Sequence, residues 1–155
     1  MKKFLKVLTL CLCLMLALSA CGKSSYISFD DVYNDLSSNI DFGSNMSEMS
    51  EIAAENFYFI YDTDIMEEFV IYMDESNATP NEIALFRLVN ESDRTTVETI
   101  VKNRINDLKI GFEDYNPDEM YKLENAVVKS KGKYVMMVIC SDNTKAAEIL
   151  NTYLK

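Results

Sequence analysis

The sequence has 155 residues, enough for one domain with a sizeable core, and carries 15 basic and 25 acidic side chains for a net charge of −10 at pH 7. This acidic balance argues against bare nucleic acid as a partner, because phosphate binding needs clustered Lys and Arg. The sequence has no His and four scattered Gly, which excludes Ser-His-Asp and Cys-His triads and a Gly-rich phosphate-binding loop.

The first segment has the features of a secretory signal. Lys2, Lys3 and Lys6 form a basic start, and residues 7–18 then contain no charged side chain. A helix of these twelve residues would cover about 18 Å, which is short of the ~30 Å hydrocarbon core of a bilayer. A cleaved signal is therefore favoured over a permanent span, although Leu18 is larger than the residue expected at an ordinary cleavage site.

The end of this segment, Leu18-Ser19-Ala20-Cys21, resembles the lipobox of bacterial lipoproteins. The resemblance implies cleavage after Ala20 and attachment of a diacylglycerol to the thiol of Cys21. We therefore expect a signal peptide at 1–20, a tether at 21–27 and a protein anchored by its lipid to the outer face of the cytoplasmic membrane. The alternative is an uncleaved anchor in which Cys21 is incidental.

Processing would sharpen the character of the remaining chain. It would leave 12 basic and 25 acidic side chains, a net charge of −13. With Cys21 lipidated, Cys140 would be the remaining thiol, so no intrachain disulfide could form. The seven residues before Ser28 reach at most about 25 Å, so the single domain at 28–155 is expected to lie close to the membrane.

The predicted domain begins with helices. Ser28 is a typical N-cap, and the apolar residues that follow it have helical spacing up to Ile40. Residues 41–47 have the composition of a loop, and 48–57 predicts a second short helix. Residues 57–61 favour either a strand or the end of that helix.

The rest of the chain predicts a sheet and further helices. Strands are expected at 68–73, 82–89, 125–129 and 133–140. A long helix is expected over 93–111 with Gly111 as its stop, followed by a turn of helix from Asp118 through Leu123. A last helix is expected to begin at Asp142 or Asn143.

The element order α-α-β-β-α-β-β-α predicts an α+β fold. We expect a four-stranded, mainly antiparallel sheet with helices packed against one face. The eight-residue link 74–81 suits antiparallel neighbours, because parallel strands need a longer crossover. The strand at 133–140 is apolar at seven successive positions from Tyr134, so it is expected to be central and covered on both sides.

The acidic residues are the main candidates for a site. From Ser24 to Phe86 there are 14 Asp or Glu and no Lys or Arg. The densest group, Asp62, Asp64, Glu67 and Glu68, could supply oxygen ligands to Ca²⁺, but it lacks the turn Gly and the distant Glu of an EF-hand. A solvated acidic surface is the simpler interpretation.

Other candidates favour packing over chemistry. Cys140 ends an apolar strand with no nearby cation in sequence to lower its pKa, so it is expected to be buried and inert. Five aromatic residues could line a groove, but a role in the core is favoured for them: Phe57, Tyr58, Phe59, Tyr61 and Tyr72. No catalytic residue and no cofactor is assigned.

Several segments resemble a family of small Gram-positive lipoproteins that carries only a domain of unknown function. These are Glu68-Phe-Val-Ile-Tyr-Met, Pro80-Asn-Glu-Ile-Ala-Leu-Phe, Arg104-Ile-Asn-Asp-Leu-Lys, Phe112-Glu-Asp-Tyr-Asn-Pro and Glu124-Asn-Ala-Val-Val-Lys-Ser-Lys-Gly-Lys-Tyr. The resemblance implies lipid anchoring and an extracytoplasmic domain. It brings no activity, ligand or catalytic residue.

These observations predict a non-enzymatic, membrane-anchored domain that interacts with an unidentified extracytoplasmic protein. The alternative is a domain that senses a ligand or Ca²⁺ through its acidic first half. An enzyme that uses Asp or Glu ranks third, because the usual nucleophiles and bases are missing.

Overall fold

The computed structural model describes residues 26–155, and the predicted signal peptide with Cys21 lies outside these residues. These residues form five helices: α1 (Phe29–Asn39), α2 (Glu51–Tyr58), α3 (Arg94–Tyr115), α4 (Met120–Glu124) and α5 (Asn143–Tyr153). The same described residues form five strands: β1 (Met46–Glu48), β2 (Met66–Asp74), β3 (Glu82–Leu88), β4 (Val127–Lys131) and β5 (Tyr134–Ile139). Within 26–155, no helix is both long enough and apolar enough to cross a bilayer.

The strands form one antiparallel sheet in the order β1-β2-β3-β5-β4. The link between β2 and β3 joins antiparallel neighbours, as its length predicts. Gly132 begins the two-residue turn between β4 and β5 with a φ of +57°, a conformation that favours Gly. β5 lies between β3 and β4, and all six of its residues are buried.

Both faces of the sheet are covered, so the fold has three layers. On one face α1 and α5 pack through Val32, Leu36 and Leu150 onto alternate residues of β3 and β5. On the other face α2, α3 and α4 pack onto the remaining residues of those strands, for example through Val101 and Leu123. The prediction of helices on one face was wrong, because the apolar runs of β3 and β5 need a helical layer on each side.

The sheet has five strands, so the prediction of four was also wrong. The additional strand is β1, within the predicted loop 41–47 and the first predicted position of the second helix. It is only three residues long, and it pairs at the sheet edge through main-chain bonds, with Met46 opposite Asp74. Its sequence, Met-Ser-Glu, carries no alternating run that would distinguish it from a loop.

Helix ends also differ from the predicted ones. α3 continues through Gly111 to Tyr115, and Phe112 is buried on its core face. The apolar contact of Phe112 thus outweighs the small helix-breaking tendency of one Gly. α2 ends at Tyr58, and Phe59 adopts a left-handed conformation with a φ of 52°, so residues 57–61 are a helix end and not a strand.

Capping agrees with the sequence at both ends of the domain. Ser28 accepts a hydrogen bond at 3.3 Å from the amide of Asp31 at the start of α1. Asp142 accepts one at 2.9 Å from the amide of Lys145 and so caps α5. These side chains bond amides that a helix leaves unpaired in its first turn.

Candidate functional site

Part of the outer edge of β2 is open. β1 pairs only with the last part of that strand, from Glu48 opposite Tyr72 to Met46 opposite Asp74. One more bond follows, from the amide of Met49 to the carbonyl of Ile71 at 2.8 Å. In the part of the chain that the structure describes, no strand lies beside Met66–Val70 on that side.

The bond from Met49 shows which main-chain groups of β2 point outwards. The carbonyl of Ile71 points away from β3, towards Met49. In an antiparallel sheet alternate residues direct both main-chain groups to the same side, so Phe69 also presents its N–H and C=O outwards. A bulge at Glu67, between the pairs Met66–Leu88 and Glu68–Arg87, ends the regular edge.

A groove of about 500 Å³ lies against this edge. The segment from Glu48 to Ala54 forms one wall, and β2 from Met66 to Ile71 forms the other, with Thr63 at the margin. Its lining combines apolar side chains, among them Met49 and Phe69, with acidic ones. Its size falls in the range of known ligand pockets, about 300–1,000 Å³.

The groove is acidic. Glu48, Glu51, Glu67 and Glu68 all contribute to its lining. Arg87 on β3 pairs with two of them: its Nη2 lies 2.8 Å from Oε2 of Glu68, and its Nε lies 3.6 Å from Oε2 of Glu67. Among residues 26–155, no ion pair engages Glu48 or Glu51.

The four calcium candidates do not converge. Oδ1 of Asp62 accepts the amide of Asp64 at 3.1 Å and caps the short turn Thr63–Ile65, while Glu67 and Glu68 face Arg87. Within the described residues, no three carboxylate or thiol groups lie close enough together to hold a metal ion. The positions of these four side chains therefore do not support calcium binding. Glu67 and Glu68 do line the groove.

Cys140 lies at the end of β5, on the face covered by α1 and α5, and is buried. Burial, with a smaller contribution from the negative charge of Asp142, raises the pKa of its thiol from 9.0 to about 11. The thiol is therefore protonated at neutral pH. It also lies on the opposite side of the sheet from α2, which forms a wall of the groove.

The five aromatic candidates serve different purposes. Tyr58 is buried against Phe86, and Tyr72 stacks on Tyr33 with ring centroids 3.8 Å apart. The side chains of Phe57, Phe59 and Tyr61 are exposed. None of the five lines the groove, where Phe69 is the aromatic residue.

Comparison with protein families gives a match over residues 38–140, which is more than half of the chain, to the family described as "Domain of unknown function (DUF4358)". The chain belongs to the DUF4358 family. The matched region contains all five strands, the groove and helices α2, α3 and α4. No curated protein and no solved structure matches the chain.

The region matched by DUF4358 also contains a buried polar cluster, which the sequence analysis missed. Glu82 at the start of β3 is only 2% exposed. Its Oε2 lies 2.6 Å from Nη2 of Arg104, and its Oε1 accepts bonds from Nε of Arg104 at 3.1 Å and from the hydroxyl of Tyr58 at 2.6 Å. Burial, and next the charge of Glu82, raise the pKa of Tyr58 well above 10.

The cluster continues at Asn81, the residue before Glu82. The ammonium of Lys122 donates to Oδ1 of Asn81 at 3.0 Å and lies 2.6 Å from Oε2 of Glu119. The side-chain Nδ2 of Asn81 donates to the carbonyl of Phe42 at 2.6 Å. These bonds join α2, α3 and α4, all from one layer, and the loop at Phe42 to the start of β3, so the cluster holds these elements together. A Glu directly before the apolar run of residues 83–86 was the sequence signal for it.

Proposed function

We propose that this protein is a lipid-anchored, non-enzymatic interaction domain on the outer face of the cytoplasmic membrane, and that it binds a protein partner at the groove beside β2. The observation that carries the proposal is the unpaired edge of β2 beside an open, partly apolar groove. Unpaired strand edges are ready templates for pairing with another chain, and proteins normally cover or blunt them.

The chemistry of the groove favours binding over catalysis. Its acidic residues lie around an apolar floor, an arrangement typical of protein-binding surfaces, which have an apolar centre and a polar rim. Two of its four carboxylates face Arg87. Cys140, the nucleophile considered from the sequence, is buried on the other face of the sheet.

The position of Tyr26, the first residue that the structure describes, supports a partner close to the membrane. The ring of Tyr26 lies under the guanidinium of Arg87, at 4.5 Å, and Arg87 contacts Glu67 and Glu68 at one end of the groove. If Cys21 carries the lipid, the chain from Cys21 to Tyr26 reaches at most about 18 Å. That end of the groove would then be held near the bilayer surface.

Photo-crosslinking in cells tests the proposal. A photoreactive amino acid replaces Thr63, which lines the groove and is exposed, and in a control it replaces Ile110, which is 74% exposed on α3. We expect a discrete protein adduct from position 63 in the membrane fraction and none of the same mass from position 110. Adducts that are absent at position 63, or identical at the two positions, would count against an interaction site in the groove.

A further inference from the structure

We infer that the partner binds by strand addition: an extended segment with alternating apolar and basic residues pairs with the outward edge of β2 at Phe69–Ile71. This inference rests on the proposed function and specifies the chemistry of the partner. Strand addition to an open sheet edge is a common mode of peptide recognition, in which main-chain bonds contribute affinity and alternate side chains contribute specificity.

The main chain of β2 offers unpaired groups along the line that β1 would follow if it continued. β1 bonds to β2 down to Glu48, Met49 adds one bond to Ile71, and Ser50 then caps α2, so the chain leaves the edge. An added strand would continue the line of β1 along β2. The N–H and C=O of Phe69 and the N–H of Ile71 face that line, and the bulge at Glu67 limits regular pairing to this short stretch.

The side chains of the groove favour a partner segment in which apolar and polar residues alternate. Phe69 and Ile71 point to the face covered by α2, where they form an apolar floor with Met49 and Ala54. Successive residues of a strand point to opposite faces. An added strand would therefore place every second side chain over this floor, and the residues between them would face the polar surroundings.

The charge of the site selects a basic segment. No Lys or Arg occurs from Ser24 to Phe86, and Glu48 and Glu51 stand at the groove with no ion-pair partner among the described residues. Opposite charge in a partner speeds association and excludes like-charged competitors. A second copy of this chain is disfavoured on the same ground, because its β2 edge would bring the same carboxylates against those of the first.

Hydrogen exchange with designed peptides tests the inference on the processed full chain in detergent micelles. The probe is an eight-residue peptide that alternates Lys with Val or Thr, and an equivalent with Glu in place of Lys is the charge control. At ten times Kd we expect the amides of Phe69 and Ile71 to exchange about tenfold more slowly. The amide of Val70, which faces β3, is the internal reference, and the Glu peptide should change nothing.

Two N-methylated versions of the Lys peptide test strand pairing itself. One carries methyl groups on the amides of all Lys residues, and the other on the amides of all Val and Thr residues. Alternate amides of a strand point to opposite sides, so one of the two versions should lose binding and the other should retain it. Equal protection by both versions would show binding by charge without strand addition and would overturn the inference.

A pair of variants tests the role of charge. Replacing Glu48 and Glu51 together by Gln should weaken binding of the Lys peptide about twofold to 25-fold, the range for two exposed ion pairs. The control, Glu113→Gln with Asp114→Asn, alters exposed carboxylates outside the groove and should leave the affinity unchanged. If no peptide protects Phe69 while position 63 still crosslinks to a partner, strand addition is wrong and the proposed function stands.

Discussion

Arg104 on α3 holds Glu82 on β3 in a two-point ion pair: Nη2 lies 2.6 Å from Oε2, and Nε lies 3.1 Å from Oε1. Both residues are almost fully buried, with 7% and 2% of their surface exposed. Arg104 also lies over the ring of Phe57, at 5.1 Å, so the pair fixes α2 and α3 to the start of β3. Such geometry is the strong form of an Arg–carboxylate contact.

Arg104→Ala should destabilise the domain by about 3–5 kcal/mol, because Glu82 would keep a buried charge without its main partner. The free energy of unfolding in urea measures this change. Lys145→Ala is the control, since Lys145 pairs with Glu148 at 4.0 Å between exposed side chains and should cost less than about 1 kcal/mol. Equal losses from the two variants would show that the buried pair has no special role.

Tyr58→Phe should cost about 1–3 kcal/mol, because Glu82 loses a hydrogen bond donated at 2.6 Å inside the core. The variant should also alter the alkaline limb of stability. Folding raises the pKa of Tyr58 well above 10, so its contribution is complete below pH 10 and is lost as the pH rises through the pKa of the folded state.

The free energy of unfolding of both proteins, measured from neutral pH to about pH 11, checks this expectation. The wild-type value should fall more steeply above pH 10 than that of Tyr58→Phe. Tyr72 and Tyr153 also have raised pKa values, mainly through burial, so some slope should remain in the variant. Parallel curves would mean that Tyr58 ionises in the folded state as readily as in the unfolded chain.

The sequence was sufficient to predict strands β2 to β5 but not the short edge strand β1. β5 is apolar at each of its positions because both of its faces are buried, and this burial leaves a continuous apolar run. β1 has no such pattern, since it is held by main-chain bonds to β2. The free edge at Phe69 follows from where β1 stops, so it could not be predicted without the pairing.

The polar contacts escaped prediction for a different reason. Local spacing predicts only that Arg104 lies in the helix 93–111 and that Glu82 begins the strand 82–89. Their contact joins residues 22 positions apart and depends on how α3 is rotated over β3. Local periodicity contains no information on that rotation. It also does not predict the contact between Glu68 and Arg87, which depends on how β2 pairs with β3.

Asp74→Asn should destabilise the domain by at least about 2 kcal/mol at neutral pH. The carboxylate of Asp74 accepts four bonds in the β2–β3 link, from the amides and hydroxyls of Ser76 and Thr79 at 2.7–2.9 Å. Burial by itself would raise the pKa of Asp74, but the bonds from Thr79 and Ser76 outweigh it and lower the pKa below 3.8.

Because the pKa of Asp74 is lowered, Asp74→Asn should change how the free energy of unfolding depends on pH in acid. Stability from Asp74 is present above about pH 3.8, the pKa of the unfolded chain, and is lost as the pH falls through the lower pKa of the folded state. Unfolding in urea between neutral and strongly acidic pH should therefore show a flatter acid limb for Asp74→Asn. Asp118→Asn, at an exposed position, is the control and should keep the wild-type slope.

Cys140 should resist thiol reagents in the folded protein. Raising the pKa from 9.0 to about 11 leaves about 100-fold less thiolate near pH 8, and burial blocks access as well. A chain that starts at Gly22 has Cys140 as its one thiol, so its rate of reaction with a disulfide reagent can be read directly. The rate should rise at least about 100-fold in concentrated guanidinium chloride. Rapid labelling of the folded chain would reopen a reactive role for this residue.

Cys21→Ala tests the anchor on which the position of the groove depends. If Cys21 is the lipidated residue, the variant should lose incorporation of a labelled fatty acid. It should then either leave the membrane fraction or remain there as an uncut precursor, heavier by the 20 residues of the predicted signal. Cys140→Ala is the control and should keep label, mass and location, because that thiol is buried in the fold. Unchanged membrane retention and mature mass in Cys21→Ala would show that the chain is not anchored through this residue. The groove would then lose its expected closeness to the bilayer, while its open edge and acidic rim would remain as the structure has them.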